Sequence, residues 1–239
     1  MLKKIILLSG PTASGKSKLA IQLAKKINGE IINADSMQIY KEFSILSSRP
    51  NDNEIKKIEH HLYGILPARK LFSAGEWLKL TKAKVDQCHK KKKIPIIVGG
   101  TGLYFNTITR GISKIPNVDL NTRNEVRSLF KKIGYQNFYQ ELVKIDPKAK
   151  KRILPSDSQR TQRAFEVMLK TKKSLFDWIE NTKSDFINYE INKIFLQTPR
   201  DVLLKNILKR IEQMFENGCI QEVKDFNLLK LNKSLSANK

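Results

Sequence analysis

Residues 3–17 read KKIILLSGPTASGKS, and this stretch decides the fold. Lys3 to Ser9 form a short aliphatic run closed by a glycine, which predicts a buried strand. Gly10-Pro11-Thr12-Ala13-Ser14-Gly15-Lys16-Ser17 then fits G-x-x-x-x-G-K-[ST], a loop that cradles phosphates. The residues that follow, KSKLAIQLAKKI, carry amphipathic helical spacing, so the loop joins a strand to a helix. In that setting the glycines let backbone N–H groups turn onto a phosphate, and the helix N-terminus adds partial positive charge. Lys16 is placed to neutralise phosphate oxygens, and the Ser17 hydroxyl to hold Mg2+. The loop reads shape and charge only. A nucleotide such as ATP and any other diphosphate fit it equally.

Outward from this loop the same alternation continues. EIINAD at 30–35 predicts a second strand. Ser73 is placed as N-cap of a helix from Ala74 to about Lys92, with Glu76 completing a capping box. IPIIVGG, from Ile94, predicts a third buried strand, and Thr101-Gly102 leads into another helix. Continuous apolar strands alternating with helices imply an α/β fold: a P-loop NTPase-like parallel sheet with helices on both faces. Near Ile115-Pro116 the pattern changes, and Asp119 to about Asn188 is basic and helical. NKIFLQT at 192–198 then predicts a further buried strand, and DVLLKNILKRIEQMFENG a helix stopped by Gly218. The expected organisation is a catalytic core of residues 1–114 and 190–239, interrupted by a helical insertion at 115–189.

The chain has 239 residues, 40% of them hydrophobic, enough for a real core and against wholesale disorder. No apolar run is long enough to span a membrane, so no membrane partner is expected. The aliphatic run at Ile5–Leu8 is too short, and too closely followed by the glycine loop, for a secretory signal. Cys88 and Cys219 match no metal or redox spacing, which points to a reducing cytoplasm. Lys and Arg total 45 against 23 Asp and Glu, a net +22 that favours encounter with polyanions. Lysine-rich runs such as Lys90–Lys93 are read as solvated helix ends.

Two further strand exits carry candidate chemistry. Asp35-Ser36-Met37-Gln38-Ile39-Tyr40 follows the second strand, and parallel sheets gather ligands at the carboxyl ends of their strands. Asp35 thus fits a general base or a metal-shell carboxylate, and equally an N-cap. Gly99-Gly100-Thr101-Gly102-Leu103-Tyr104 leaves the third strand, with glycines permitting close backbone approach and Thr101 offering a hydroxyl. The alternative is a tight turn in which Thr101 caps a helix. His60-His61 suggests a metal pair, but adjacent residues point apart, which favours a structural role. Phe72, Trp77, Phe165 and Trp178 are expected in the core.

Together, GPTASGKS, DSMQIY and GGTGLY resemble the tRNA dimethylallyltransferase (isopentenylpyrophosphate transferase) family. The basic segment Asp157-Ser158-Gln159-Arg160-Thr161-Gln162-Arg163-Ala164-Phe165-Glu166-Val167 and the stretch from Pro199-Arg200-Asp201 to Glu222-Val223 resemble later blocks of it. The resemblance implies transfer of a dimethylallyl group from dimethylallyl diphosphate to N6 of the adenine 3′ of the anticodon, within the tRNA anticodon stem-loop. It makes Asp35 the base, Lys16 and Thr101 catalytic partners, and residues 10–17 the diphosphate site. Ser36, Met37 and Gln38 match positions lining the tRNA base channel. Thr101, Arg123 and the stretch Gln159, Arg160, Thr161, Gln162, Arg163 match tRNA-contacting positions. A monomer is expected. Asn206 stands where the family usually carries arginine, leaving Arg210 as the nearer match. The family pattern also continues past Lys239 with a tRNA-touching loop and a basic helix, so the chain is expected to be short at its C-terminus. Two rivals stay open: a P-loop small-molecule or nucleotide kinase, and an inactive tRNA-binding fragment.

Overall fold

In the computed structural model, residues 2–232, Leu235 and Ala237 are described. The chain runs β1 (Lys3–Ser9), α1 (Lys16–Ile27), β2 (Gly29–Asn33), α2 (Asp52–Lys57), β3 (His60–His61), α3 (Ala74–Lys90), β4 (Ile94–Gly99) and α4 (Gly102–Arg110). It continues through α5 (Leu120–Ile145), a 3-10 turn at Pro147–Lys151, α6 (Ser158–Thr171) and α7 (Leu175–Glu180). β5 (Tyr189–Phe195), α8 (Arg200–Glu216) and α9 (Cys219–Leu228) follow. Contacts divide it into two compact units, Met1–Thr109 with Asp185–Lys239, and Arg110–Ser184.

The first unit is built on a five-stranded sheet in the order β3-β2-β4-β1-β5, parallel throughout. β1 is flanked by β4 (Ile6 opposite Ile96) and by β5 (Ile6 opposite Asn192). Successive side chains of a strand face opposite ways, and here both faces are covered. Ile5, Leu7, Ile32 and Ile97 pack with Trp77, Val85 and Ile108 from α3 and α4. Leu8, Ile31, Ile96 and Val98 pack with Ala20 and Ala24 of α1. The Ser73–Glu76 capping box forms in full, fixing where α3 begins. Asn51 and Glu54 make a second such box at α2, a short helix that the apolar pattern does not reveal.

Two expectations are corrected. The last strand lies at 189–195 rather than 192–198 and is an edge strand, with Phe195 68% exposed, because only β1 pairs with it. Lys91 is not simply solvated, since it pairs with Glu59 at 2.9 Å and Glu30 at 3.5 Å. The helix after β5 ends at Glu216 with Asn217 as its cap, so Gly218 (φ 89°) stops it as expected, and the same glycine opens a further helix, α9.

The second unit has its own core, where Val126, Phe138 and Leu142 of α5 meet Ala164 and Phe165 of α6 and Phe176 of α7. α5 is broken at Gly134, whose φ of 75° and ψ of 167° leave the helical region. Asp119 caps α5 through Thr122 N–H and also accepts from Lys170 at 2.9 Å, tying the start of α5 to the last turn of α6. No helix among the described residues is long and apolar enough to cross a membrane.

At the carboxyl edge of the sheet β2 and β4 come unusually close. Ala34 N–H donates to Val98 O at 2.7 Å and Thr101 N–H to Ala34 O at 3.2 Å. A Cβ on Gly99 would lie 2.1 Å from Ala34 O, whereas one on Gly100 would meet nothing within 4 Å. Gly99→Ala is therefore expected to destabilise the protein by about 1–3 kcal/mol. Gly100→Ala should melt with the wild type, and equal melting temperatures for both variants would contradict this packing. Ser73→Ala, which removes one half of the α3 capping box, should cost about 1 kcal/mol in urea denaturation.

Candidate active site

The phosphate loop is shaped by two left-handed residues, Ala13 (φ 61°) and Gly15 (φ 86°). Gly15 begins α1 without a side-chain cap, and the first turn holds no acidic residue. Free N–H groups and the positive end of the helix dipole thus remain available to an anion. Gly10 is held against the end of β5, where an added Cβ would sit 2.8 Å from Leu196 O. Lys16 Nζ closes on its own loop, donating to Gly10 O at 2.8 Å, to Pro11 O and to Ser14 Oγ at 3.5 Å.

This loop floors a cleft of about 950 Å³. Thr12 to Lys18 line it, together with Asp35, Gln38, Gly99 and Gly100 from the strand exits. Its remaining wall comes from the segment Ser44–Asp52 and from Asn206, Lys209, Arg210 and Gln213 of α8. Asp35 is half-buried and its carboxylate accepts from Met37 N–H at 2.9 Å, an Asx turn rather than a helix cap. Asn33 locks the same corner, accepting from Asp35 N–H at 2.7 Å and donating to Leu62 O at 3.0 Å. Burial lowers the pKa of Lys16 from its ordinary value; the charge of Asp35 opposes that, and Arg210 adds to it. Burial likewise lowers Arg210, again opposed by Asp35. Asp35 thus shares one electrostatic neighbourhood with both cations.

Thr101 acts through Asp35's neighbour. Its hydroxyl accepts from Ser36 N–H at 3.0 Å and lies 3.5 Å from Ser36 Oγ, so it braces the loop after β2 rather than lining the cleft. Met37 packs against the core, while Gln38 donates to Ser47 O at 2.8 Å and Ser48 O at 3.0 Å. The close approach expected of Gly99 is made by the protein's own Ala34, and Gly100 borders open space.

The remaining candidates lie in the second unit. Arg123 sits one turn into α5, with its Nε buried and without a hydrogen-bond partner. On α6, Gln159 and Arg160 are exposed, and Arg160 pairs with Asp157 at 2.9 Å. Arg163 pairs with Glu166 at 3.1 Å, and Gln162 donates to Ser158 O at 3.3 Å. Thr161 is only 1% exposed and its hydroxyl donates to Asp157 O, so its side chain is spent inside the helix.

Of the α8 wall, the sequence singled out Asn206 and Arg210 through the family resemblance and missed Lys209 and Gln213. Asn206 donates to Ala13 O at 3.0 Å, so it braces the phosphate loop itself. Arg210 reaches Ser47 O at 3.4 Å, and its Nε is buried without a partner beside the cleft. The spacing of α8 alone gives no signal for this wall, because a polar or cationic side chain on an amphipathic helix is ordinarily solvated. His60 and His61 do point apart. His61 meets Glu30 at 2.7 Å, while His60 Nδ1 donates to Ile58 O at 2.7 Å. Among the described residues, Glu30, His61 and Cys88 are the one trio of metal-ligating types within mutual reach. The trio is already hydrogen-bonded, with Cys88 donating to Glu30 at 3.4 Å and Lys91 beside it. Burial, then the Glu30 charge, push the Cys88 thiol up to about 12, so it is inert as a nucleophile.

A family model for IPP transferase matches residues 38–238. A tRNA dimethylallyltransferase of Pelagibacter ubique is 51% identical over 236 residues, covering 99% of this chain and 75% of that protein. One from Rickettsia bellii is 42% identical over 230 residues, 94% of this chain and 73% of the relative. Among solved structures, the tRNA isopentenylpyrophosphate transferase of Bacillus halodurans superposes with a TM-score of 0.66 at 32% identity, covering 98% of this chain and 73% of its own. A eukaryotic dimethylallyltransferase acting on tRNA superposes with a TM-score of 0.81 at 29% identity, covering 98% and 58%. With its phosphate loop, its Asp35 corner and similarity along nearly its whole length, the chain belongs to the IPP transferase family.

Proposed function

We propose that this chain transfers a dimethylallyl group from dimethylallyl diphosphate to N6 of the adenine 3′ of the anticodon in tRNA, as a monomer in the cytoplasm. The observation that carries this reading is a single cleft joining the phosphate loop, Asp35 and the half-satisfied Arg210. The adenine N6 lone pair is delocalised into the ring, so N6 is a poor nucleophile unless its proton is taken as the new bond forms. Asp35, at the cleft and held by its own Asx turn, is the acceptor for that proton. The N6–carbon bond forms as the allylic carbon–oxygen bond breaks, and pyrophosphate leaves with the electron pair.

The loop amides at the start of α1 receive the growing negative charge. Lys16 joins them by exchanging its loop carbonyls for phosphate oxygens, and Arg210 Nε supplies a donor with no other demand on it. Ser17 presents a hard oxygen donor at the same cleft, which suits Mg2+. It would hold the ion together with the diphosphate oxygens, and bound there the ion would neutralise diphosphate charge. Thr101 keeps the Asp35 loop in register through Ser36. The base must leave its stack to reach such a cleft, as base-modifying enzymes require. Arg123, Arg160 and Arg163 are assigned to the RNA backbone, in keeping with a net charge of +22.

The test is transfer of radiolabel from dimethylallyl diphosphate to an unmodified tRNA with adenine 3′ of its anticodon, in the presence of Mg2+. Label is expected on the RNA, and Asp35→Ala should lower kcat by about 10²–10⁴-fold. Lys16→Ala should chiefly weaken the diphosphate. Phosphoryl transfer from labelled ATP, with no prenyl transfer, would instead favour a kinase.

A further inference from the structure

Glu222 is a half-buried residue near the start of α9, and nothing in the chemistry above uses it. Its carboxylate accepts from three consecutive backbone N–H groups, Ser44 at 2.7 Å, Ile45 at 2.8 Å and Leu46 at 2.9 Å. The Ser44 hydroxyl adds a fourth donor at 2.9 Å. Successive N–H groups converging on one point make an anion nest, and here the protein fills the nest with its own side chain. A glutamate in the first turn of a helix is ordinarily explained by the helix dipole. That explanation requires no partner, whereas these four bonds span more than 170 positions of the chain. One helical turn further, Phe226 packs on Phe43 with ring centroids 4.6 Å apart. The same face of α9 thus fastens the segment at two points, one ionic and one apolar.

The fastened segment is a wall of the cleft. Just beyond the nest, Ser47 O and Ser48 O receive Gln38, and Ser47 O also receives Arg210. Arg49 N–H returns to Ser44 O at 3.0 Å, closing the segment on itself. Glu222 therefore holds the frame in which Gln38 and Arg210 are aimed, although it is not among the residues lining the cleft. Burial favours its neutral form, but the Leu46, Ile45 and Ser44 donors outweigh this and keep its pKa below the ordinary value.

We propose that Glu222 is a positioning residue for the transfer reaction, setting the Ser44–Arg49 wall so that Arg210 and Gln38 meet the diphosphate and the incoming base. The proposal rests on the prenyl-transfer reading, but its first test does not. Binding of inorganic pyrophosphate by calorimetry reports the wall alone, while KM and kcat for dimethylallyl transfer report the reaction. Glu222→Ala should weaken pyrophosphate and raise the KM for dimethylallyl diphosphate by about tenfold or more, and lower kcat as well. Glu222→Asp should recover most of each loss. If Glu222→Ala does not fold, Glu222→Gln carries the test, since its amide keeps one acceptor for the nest and leaves some donors unpaired. A lower melting temperature with unchanged pyrophosphate affinity and unchanged KM would reduce Glu222 to a stabilising contact and overturn the proposal. Glu222-dependent pyrophosphate binding without any prenyl transfer by the wild type would overturn the reaction and leave the positioning role standing.

Discussion

The close passage of β2's exit over the end of β4 is the constraint on which the site depends. Ala34 and Gly99 approach so tightly that only a residue without Cβ fits at 99. Because the backbones lie this close, the two loops leaving the strands bond to one another, through Thr101 N–H to Ala34 O and Ser36 N–H to Thr101 Oγ1. Asp35 sits between those two bonds. Its main chain is thus fixed from both sides, and Met37 N–H holds one oxygen of its carboxylate, while the residue still lines the cleft. A rigid frame around a group that borders the cleft is what proximity catalysis requires of the proposed base.

Much of this frame was legible in the sequence, and the reason is locality. β1, α1, the α3 cap and β4 each announce themselves within a dozen residues, by an apolar run, a glycine loop or a capping box. Lys16, Asp35 and Gln38 lie within or just after such signals, and all three line the cleft. What escaped was decided by partners far along the chain. β5 has an apolar pattern that suggested burial, yet its place at the sheet edge leaves Phe195 in solvent. β3 is two residues long, too short for any periodicity. The α8 wall and the Glu222 nest form only when residues past 200 fold back on residues 13 and 44–47.

Asn206 and Arg210 divide two tasks on α8. An arginine at 206 would bring charge to the phosphate loop. Asparagine instead donates a neutral hydrogen bond to Ala13 O, at the left-handed residue that shapes the loop. The cationic task then falls to Arg210, one turn further along α8. There an apolar side chain would leave Ser47 O to Gln38 and remove the positive charge from the cleft wall. Loop geometry and charge compensation have thereby been separated between two residues.

The arginines of the second unit pose the reverse question, since they already have partners. Arg160 and Arg163 each hold an acid three residues away, Asp157 at the cap of α6 and Glu166 within it. Arg160's side chain is 75% exposed, and such a pair contributes little to stability because water screens it and a long side chain must be ordered to form it. Replacing Asp157 with an RNA phosphate therefore sacrifices little and releases counterions from the nucleic acid, whereas Glu166 is buried and its pair with Arg163 is held more firmly. With 45 cationic against 23 acidic residues, no arrangement of internal pairs can neutralise the chain. A surface where an exposed pair is weak and charge is in excess is poised to exchange a carboxylate for a phosphate, so the Arg160 ion pair is compatible with an RNA-facing helix.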